Sequence, residues 1–268
     1  MSLSMGICRL CGANKPLLDS HYMPKSLYRL LREDNAIIQN PILTTAKTSI
    51  QSSDQVTSRL LCSEYESLFS KHGENWVIDQ CFRGPGVFKL QDTLRNASTQ
   101  CKGEFFAATA IPAIDVDKIV YFAASIFWRG SAHQWVAGRD QLKGIKLGKR
   151  YEEEFAQFLL GNRPFPENAA LIVTVSDNVS PVDSVSSPYG GRHGRCHTYF
   201  FHIPGIHFCL FVGRMIGSMY RDACIVRSPE HRIYWGDTNP LIQGYSLSMV
   251  AHAQPVGKLA QKYPRSAA

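Results

Sequence analysis

An α+β fold is predicted for this chain from three observations. The middle third has helical apolar periodicity, the last third has short alternating β-type runs, and a polar, cysteine-bearing segment precedes both. In order along the 268 residues, these give a small N-terminal module at 1–81, a helical region at 82–162 and an antiparallel β region at 163–254. A short basic tail at 255–268 is expected to be disordered.

Within the first module, Pro24 suits the first turn of a helix, and Leu27, Leu30 and Leu31 then share one side. Residues 38–57 are rich in Ser, Thr and Gln with weak periodicity, and are read as an insertion loop. In the middle region Asp115 can cap a helix whose apolar face is Val116, Ile119, Val120, Ala123, Ile126 and Phe127, ending near Gly130. Arg129 closes that face and reads as a side chain snorkelling to solvent. A second helix starts at Lys149 and stops at Gly161-Asn162, a C-terminal signal.

The run Ala170-Leu-Ile-Val-Thr-Val-Ser176 reads as a strand. Residues 196–203 and 206–213 read as a hairpin, with Pro204-Gly205 at the centre of a type II turn. That register sets Ile203 opposite Ile206 and His202 opposite His207, with Cys209 on the same face. Such a trio could ligate a metal, although packed or hydrogen-bonded side chains are the commoner outcome. Residues 176–195 between these strands are expected to form a mobile loop.

Lys and Arg outnumber Asp and Glu by 29 to 22, a formal charge of +7, which leans toward an acidic partner. The longest apolar stretch is broken by Pro204-Gly205, so no membrane partner is expected. A cytoplasmic location is expected, where the eight cysteines would be thiols or metal ligands.

The chemistry concentrates near the N-terminus. Cys8-Arg-Leu-Cys11 can form one edge of a tetrahedral zinc site, and Cys62 suits a third position. The fourth position of a second knuckle is Tyr65, which leaves Cys81 or His72 as alternative ligands. The plain reading of the cysteines is as small buried apolar residues. His21, at the end of a strand or loop before Pro24, is a candidate general base. Glu66, His72 and Glu74, on or after a helix starting at Cys62, are candidate donors for a divalent ion, or else ordinary helix side chains. Lys25 and Arg29, and Arg192 and Arg195 in the glycine-rich run after Tyr189, are candidate phosphate contacts.

The sequence Cys-x-x-Cys, a spacer, Ser20-His21-Tyr-Met-Pro24-Lys25-Ser26, then Leu60-Leu61-Cys62-x-x-x-Glu66-x-x-x-Ser70-x-x-x-Glu74 resembles the HNH endonucleases of the ββα-metal fold. It is most similar to a bacterial subgroup with glutamate where the middle Asn usually stands. The likeness covers about residues 8–74. It implies an N-terminal ββα zinc-knuckle module with a structural Zn²⁺ and a catalytic Mg²⁺ or other divalent ion. His21 would be the general base, Glu66 would replace the middle Asn, and His72 or Glu74 would be the last metal ligand. Two departures are Ser20, where many members have an acidic residue, and Tyr65, where the fourth zinc cysteine belongs. The activity implied is metal-dependent hydrolysis of nucleic acid, DNA rather than RNA. The alternatives are an inactive nucleic-acid-binding module and a protein-interaction or regulatory scaffold.

Overall fold

The computed structural model describes residues 4–33, 40–142 and 144–262, and they form an α+β protein. At the N-terminus, β1 (Ser4–Ile7) and β2 (Asn14–His21) form an antiparallel hairpin. Helix α1 (Lys25–Glu33) follows, burying Leu27 and Leu30 while Lys25 and Arg29 stay exposed. Next come β3 (Ile42–Thr44), β4 (Thr48–Gln51) and β5 (Thr57–Cys62). β5 pairs antiparallel with β2, completing a sheet of order β1-β2-β5, with a register shift between Leu17 and Asp19. Cys62 ends β5 and is the N-cap of α2 (Ser63–Phe69), so the strand turns directly into the helix. A single π-helical turn, Ser70–Glu74, joins α2 to α3 (Asn75–Asp79).

The middle region contains α4 (Lys89–Asn96), the short strands β6 (Cys101–Lys102) and β7 (Phe105–Ala107), then α5 (Val116–Ala132). Asp115 caps α5 as its sequence predicts, its side chain accepting from the Lys118 amide. A small hairpin, β8 (Val136–Ala137) and β9 (Asp140–Gln141), leads to α6 (Lys149–Leu159). Gly161 at φ +74° closes α6, and the Asn162 amide reaches back to the Gln157 carbonyl.

The C-terminal elements are β10 (Ala169–Val175), β11 (Tyr189–His193), β12 (Cys196–Ile203), β13 (Ile206–Val212), α7 (Ser218–Asp222), β14 (Arg232–Trp235), α8 (Asn239–His252), β15 (Gln254–Val256) and α9 (Lys258–Lys262). A seven-stranded sheet has the order β11-β12-β13-β10-β14-β7-β6. The β12–β13 hairpin has the expected register, Ile203 opposite Ile206 and His202 opposite His207, with Gly205 at φ +78°.

Five expectations are corrected. The sheet is mixed, because β14 runs parallel to β10. It recruits β6 and β7 from the region read as helical. The expected mobile loop contains an ordered strand, β11, paired with β12. The segment read as an insertion loop holds β3 and β4, and β4 pairs parallel with β15 from the segment read as a disordered tail. Residues 38–39 and 263–268 of those two expectations lie outside the described residues.

Helix α5 joins the N-terminal module to the large sheet. Phe122, Ala123, Ile126, Phe127 and Trp128 are all essentially inaccessible. Phe122 and Phe127 pack on Phe201, while Trp128 packs edge-on against Phe69 of α2. Each such buried aromatic contributes roughly 1.5–3 kcal/mol of transfer free energy. On the N-terminal side the approach is close: a Cβ on Gly73 would lie 2.9 Å from the Phe122 backbone. Only a residue without a side chain lets the π turn sit that near α5.

Candidate functional site

The sulfurs of Cys8, Cys11 and Cys62 lie within 4.8 Å of one another. The turn after β1 produces this convergence. The Gly12 amide donates to the Cys8 carbonyl at 2.8 Å, the Cys8 amide to Ala13 at 2.9 Å, and Gly12 takes a left-handed conformation at φ +71°. Hydrogen bonding across β2 and β5 then brings Cys62 beside that turn, where the Arg9 amide meets the Leu60 carbonyl at 3.0 Å. Burial raises the Cys8 thiol's pKa, but the backbone amides of Cys11, Cys62 and Leu10 outweigh it and hold the thiol below its ordinary value. The Cys62 thiol shifts the other way, through burial and the neighbouring Cys8, against the Tyr65 amide that favours its thiolate. Three converging sulfurs supplied with backbone N–H donors could hold a metal ion.

Neither alternative fourth ligand reaches this cluster. Cys81 is fully buried and its thiol donates to the Val77 carbonyl at 3.5 Å. His72 packs on the Tyr121 ring, 5.5 Å between centroids. The side chain beside the sulfurs is Tyr65, whose pKa is pushed up by burial first, then by Glu64 and Cys11, with a smaller push from Cys62.

A second polar pocket lies where β2 ends against the α2–α3 helix. The Ser20 hydroxyl, fully buried, accepts from the Leu61 amide at 3.0 Å and donates to the Glu66 carboxylate. Glu66 is pushed above the ordinary carboxylate range by burial, with Glu74 adding to it; Arg129, the Ser20 hydrogen bond and His21 oppose the shift. His21 Nε2 is 2.6 Å from Gln55 Oε1. A carbonyl oxygen only accepts, so Nε2 carries a proton in this hydrogen bond. His21 and Glu66, forty-five positions apart in sequence, are close enough for the imidazole to act on the carboxyl.

Arg129 organises this pocket, and the sequence reading missed it. Its side chain is 2% exposed and paired with Glu74, whose side chain is 13% exposed. One guanidinium nitrogen donates to the His21 carbonyl at 3.0 Å, and the group lies over the Phe69 ring at 4.9 Å. The expected snorkelling is corrected: the last turn of α5 is enclosed by the α2–α3 helix, and no path leads to water. An arginine directly after the apolar run Ile126-Phe127-Trp128 was the available signal, since buried cations require carboxylate partners. Gln55 was missed as well, because it fell in a segment read as loop.

The other expected residues are dispersed. Glu74 is occupied by Arg129, and His72 sits with Tyr121 on another side of the helix, away from His21. Asp19 turns outward to Arg59 at 2.8 Å. Among the described residues the three cysteines are the one group of three or more His, Cys, Asp or Glu ligand atoms gathered closely enough for a metal, so His21, Glu66, His72 and Glu74 form no such group, nor do His202, His207 and Cys209. His202 instead bonds the Ser184 hydroxyl at 2.9 Å. Lys25 and Arg29 are exposed on α1, and Arg192 and Arg195 on the β11–β12 hairpin, on separate elements. Among the described residues no helix is long and apolar enough to cross a membrane. No protein-family model matches the chain, and no curated protein or solved structure matches it either.

Proposed function

We propose that the N-terminal module is a ββα nuclease-type unit that hydrolyses phosphodiester bonds in DNA, with a zinc ion held by Cys8, Cys11 and Cys62 as its structural anchor. The observation that carries this reading is the approach of His21 to Glu66 through the β2–β5 pairing that runs directly into α2, the helix whose N-cap is Cys62. In this reading His21 is the base: with Nε2 donating to Gln55, Nδ1 is the nitrogen that would take a proton from water. Glu66, held by Ser20, is the carboxylate that remains beside it once Glu74 is committed to Arg129.

With His21 assigned to the proton, Glu66 is left as the one carboxylate donor. A single carboxylate fits a hard divalent ion such as Mg²⁺, which keeps several waters and takes substrate phosphate oxygens as further ligands. Such an ion, when bound, supplies positive charge at the phosphate oxygens. Lys25 and Arg29 are the exposed cations nearest in sequence to His21 for positioning the backbone of the nucleic acid.

The test is nicking of supercoiled plasmid with Mg²⁺ or Mn²⁺ by the wild type, His21→Ala and Gln55→Ala. Loss of the base is expected to slow cleavage by roughly 10²–10⁴-fold. Equal activity, or equal inertness, of wild type and His21→Ala across metals overturns the assignment. The Arg129–Glu74 pair favours one second reading, a module that binds nucleic acid without cutting it, since it removes a carboxylate from the donor set. That reading predicts binding that weakens steeply with salt and no cleavage.

A further inference from the structure

A cavity of about 220 Å³ opens between α1, β3, the segment before β11 and α8. Tyr22, just past the end of β2, lines it, and His21 is not among its lining residues. Its walls mix apolar side chains such as Leu27, Val56 and Met249 with the aromatic rings of Tyr28 and Tyr245. A row of hydroxyls from Ser184, Ser186 and Ser187 faces the same space.

Deep in this wall lies His202, 1% exposed, its Nε2 engaged by Ser184 at 2.9 Å. Its Nδ1 is buried without a hydrogen-bond partner among the described residues. A buried polar atom left unsatisfied costs about 1–3 kcal/mol, so such atoms normally find a ligand, a protein group or a water. The Ser184 hydroxyl can donate or accept, which lets Nδ1 present either a lone pair or an N–H. Among the described residues no lysine or arginine lines the cavity, and the one carboxylate there, Asp54, is exposed. The interior therefore offers hydrogen bonding and ring stacking without a counter-charge for an ionised guest.

We propose that this cavity is a binding site for an uncharged planar heteroaromatic molecule of one or two fused rings, hydrogen-bonded to His202 Nδ1 and packed between the tyrosine rings. Size agrees: an apolar cavity of ~150 Å³ accepts benzene, so 220 Å³ takes a somewhat larger ring system. The proposal stands apart from the hydrolytic reading, because none of its groups belongs to the His21–Glu66 pocket.

The experiment is calorimetric titration of the full chain with benzimidazole and adenine at pH 7.5, against indene, benzoate and benzamidine as apolar, anionic and cationic controls of similar shape. Saturable one-to-one binding of a neutral heteroaromatic is expected, with each control at least about tenfold weaker, the factor one hydrogen bond of ~1.4 kcal/mol supplies. His202→Phe should weaken binding by a similar factor. Met249→Trp, at the half-exposed rim on α8, should block it while leaving the thermal melting transition near wild type. His21→Ala should leave it unchanged. Absence of saturable binding, equal affinity for indene, or insensitivity to Met249→Trp overturns the proposal.

Discussion

Replacing Arg129 with methionine keeps most of the side-chain volume in the last turn of α5 but deletes its charge and donors. Glu74 then loses its cation in a site where the two side chains are 13% and 2% exposed. The His21 carbonyl loses a donor, and Phe69 loses the guanidinium over its ring. Breaking a buried pair by removing one partner costs about 3–5 kcal/mol. At about 2–4 °C per kcal/mol for a chain near this size, melting should fall by roughly 6–20 °C. The loss should also depend on pH. Glu66 has a folded-state pKa already above its ordinary value, and Arg129 opposes that rise. Without Arg129 it rises further. A carboxyl raised in the folded state binds more protons folded than unfolded between its two pKa values, so the stability it contributes is present at low pH and lost as pH climbs through the folded value. Arg129→Met should therefore lie closest to wild type near pH 4.5 and diverge toward pH 7. Urea unfolding of both proteins at pH 4.5, 5.5, 6.5 and 7.5 measures this. A cost below 1 kcal/mol at pH 7.5, or one that does not grow with pH, would refute the reasoning that this cation compensates two buried acids.

Purified protein is expected to retain one zinc per chain, and Cys62→Ser to lose it, as read by elemental analysis; zinc-free wild type would remove the structural anchor. In cobalt-substituted protein, Tyr65→Cys should add a fourth thiolate, raising the sulfur-to-cobalt charge-transfer absorption and tightening retention against a chelator. Gly73→Ala places a Cβ 2.9 Å from the Phe122 backbone and should cost about 1–3 kcal/mol in urea unfolding. Burial, with His207 adding to it, holds His202 down to about 3, and burial alone holds His207 to about 4, both below the ordinary 6.5. Below pH 6.5 the unfolded chain takes up protons that these folded histidines refuse, so stability should fall as pH drops from 6.5 toward 4, and His207→Phe should flatten that decline.

Features carried by local spacing were legible in the sequence. The apolar face of α5 with its Asp115 cap, the Gly161 stop of α6 and the Pro204-Gly205 turn each depend on residues within a few positions of one another. Cys8 and Cys11 were legible too, because a knuckle turn is itself a local structure, while Cys62 joins them only through the β2–β5 pairing. What escaped was non-local. β4 gains its partner from β15, about two hundred residues away, and neither strand has an apolar alternation strong enough to announce itself alone. The parallel β10–β14 pairing is similarly silent. At the site, Glu74 read as a metal donor because its place three turns after Cys62 fitted a motif; its actual partner is on α5, brought in by the tight contact at Gly73.

Arg129 also bears on how the pocket would meet a nucleic acid. With Glu74 matched by Arg129, an ionised Glu66 adds an uncompensated negative charge in a half-buried setting where screening is weak. Such a pocket repels a phosphodiester and attracts a cation. A phosphate can approach productively only in company with a divalent ion, or while held from outside by Lys25 and Arg29. Chelation should then abolish cleavage completely while leaving salt-sensitive binding through the surface arginines and lysines in place. Cleavage that persists in excess chelator would mean that Arg129 is freed from Glu74 when substrate binds, and that the cation at the reacting phosphate comes from the protein itself.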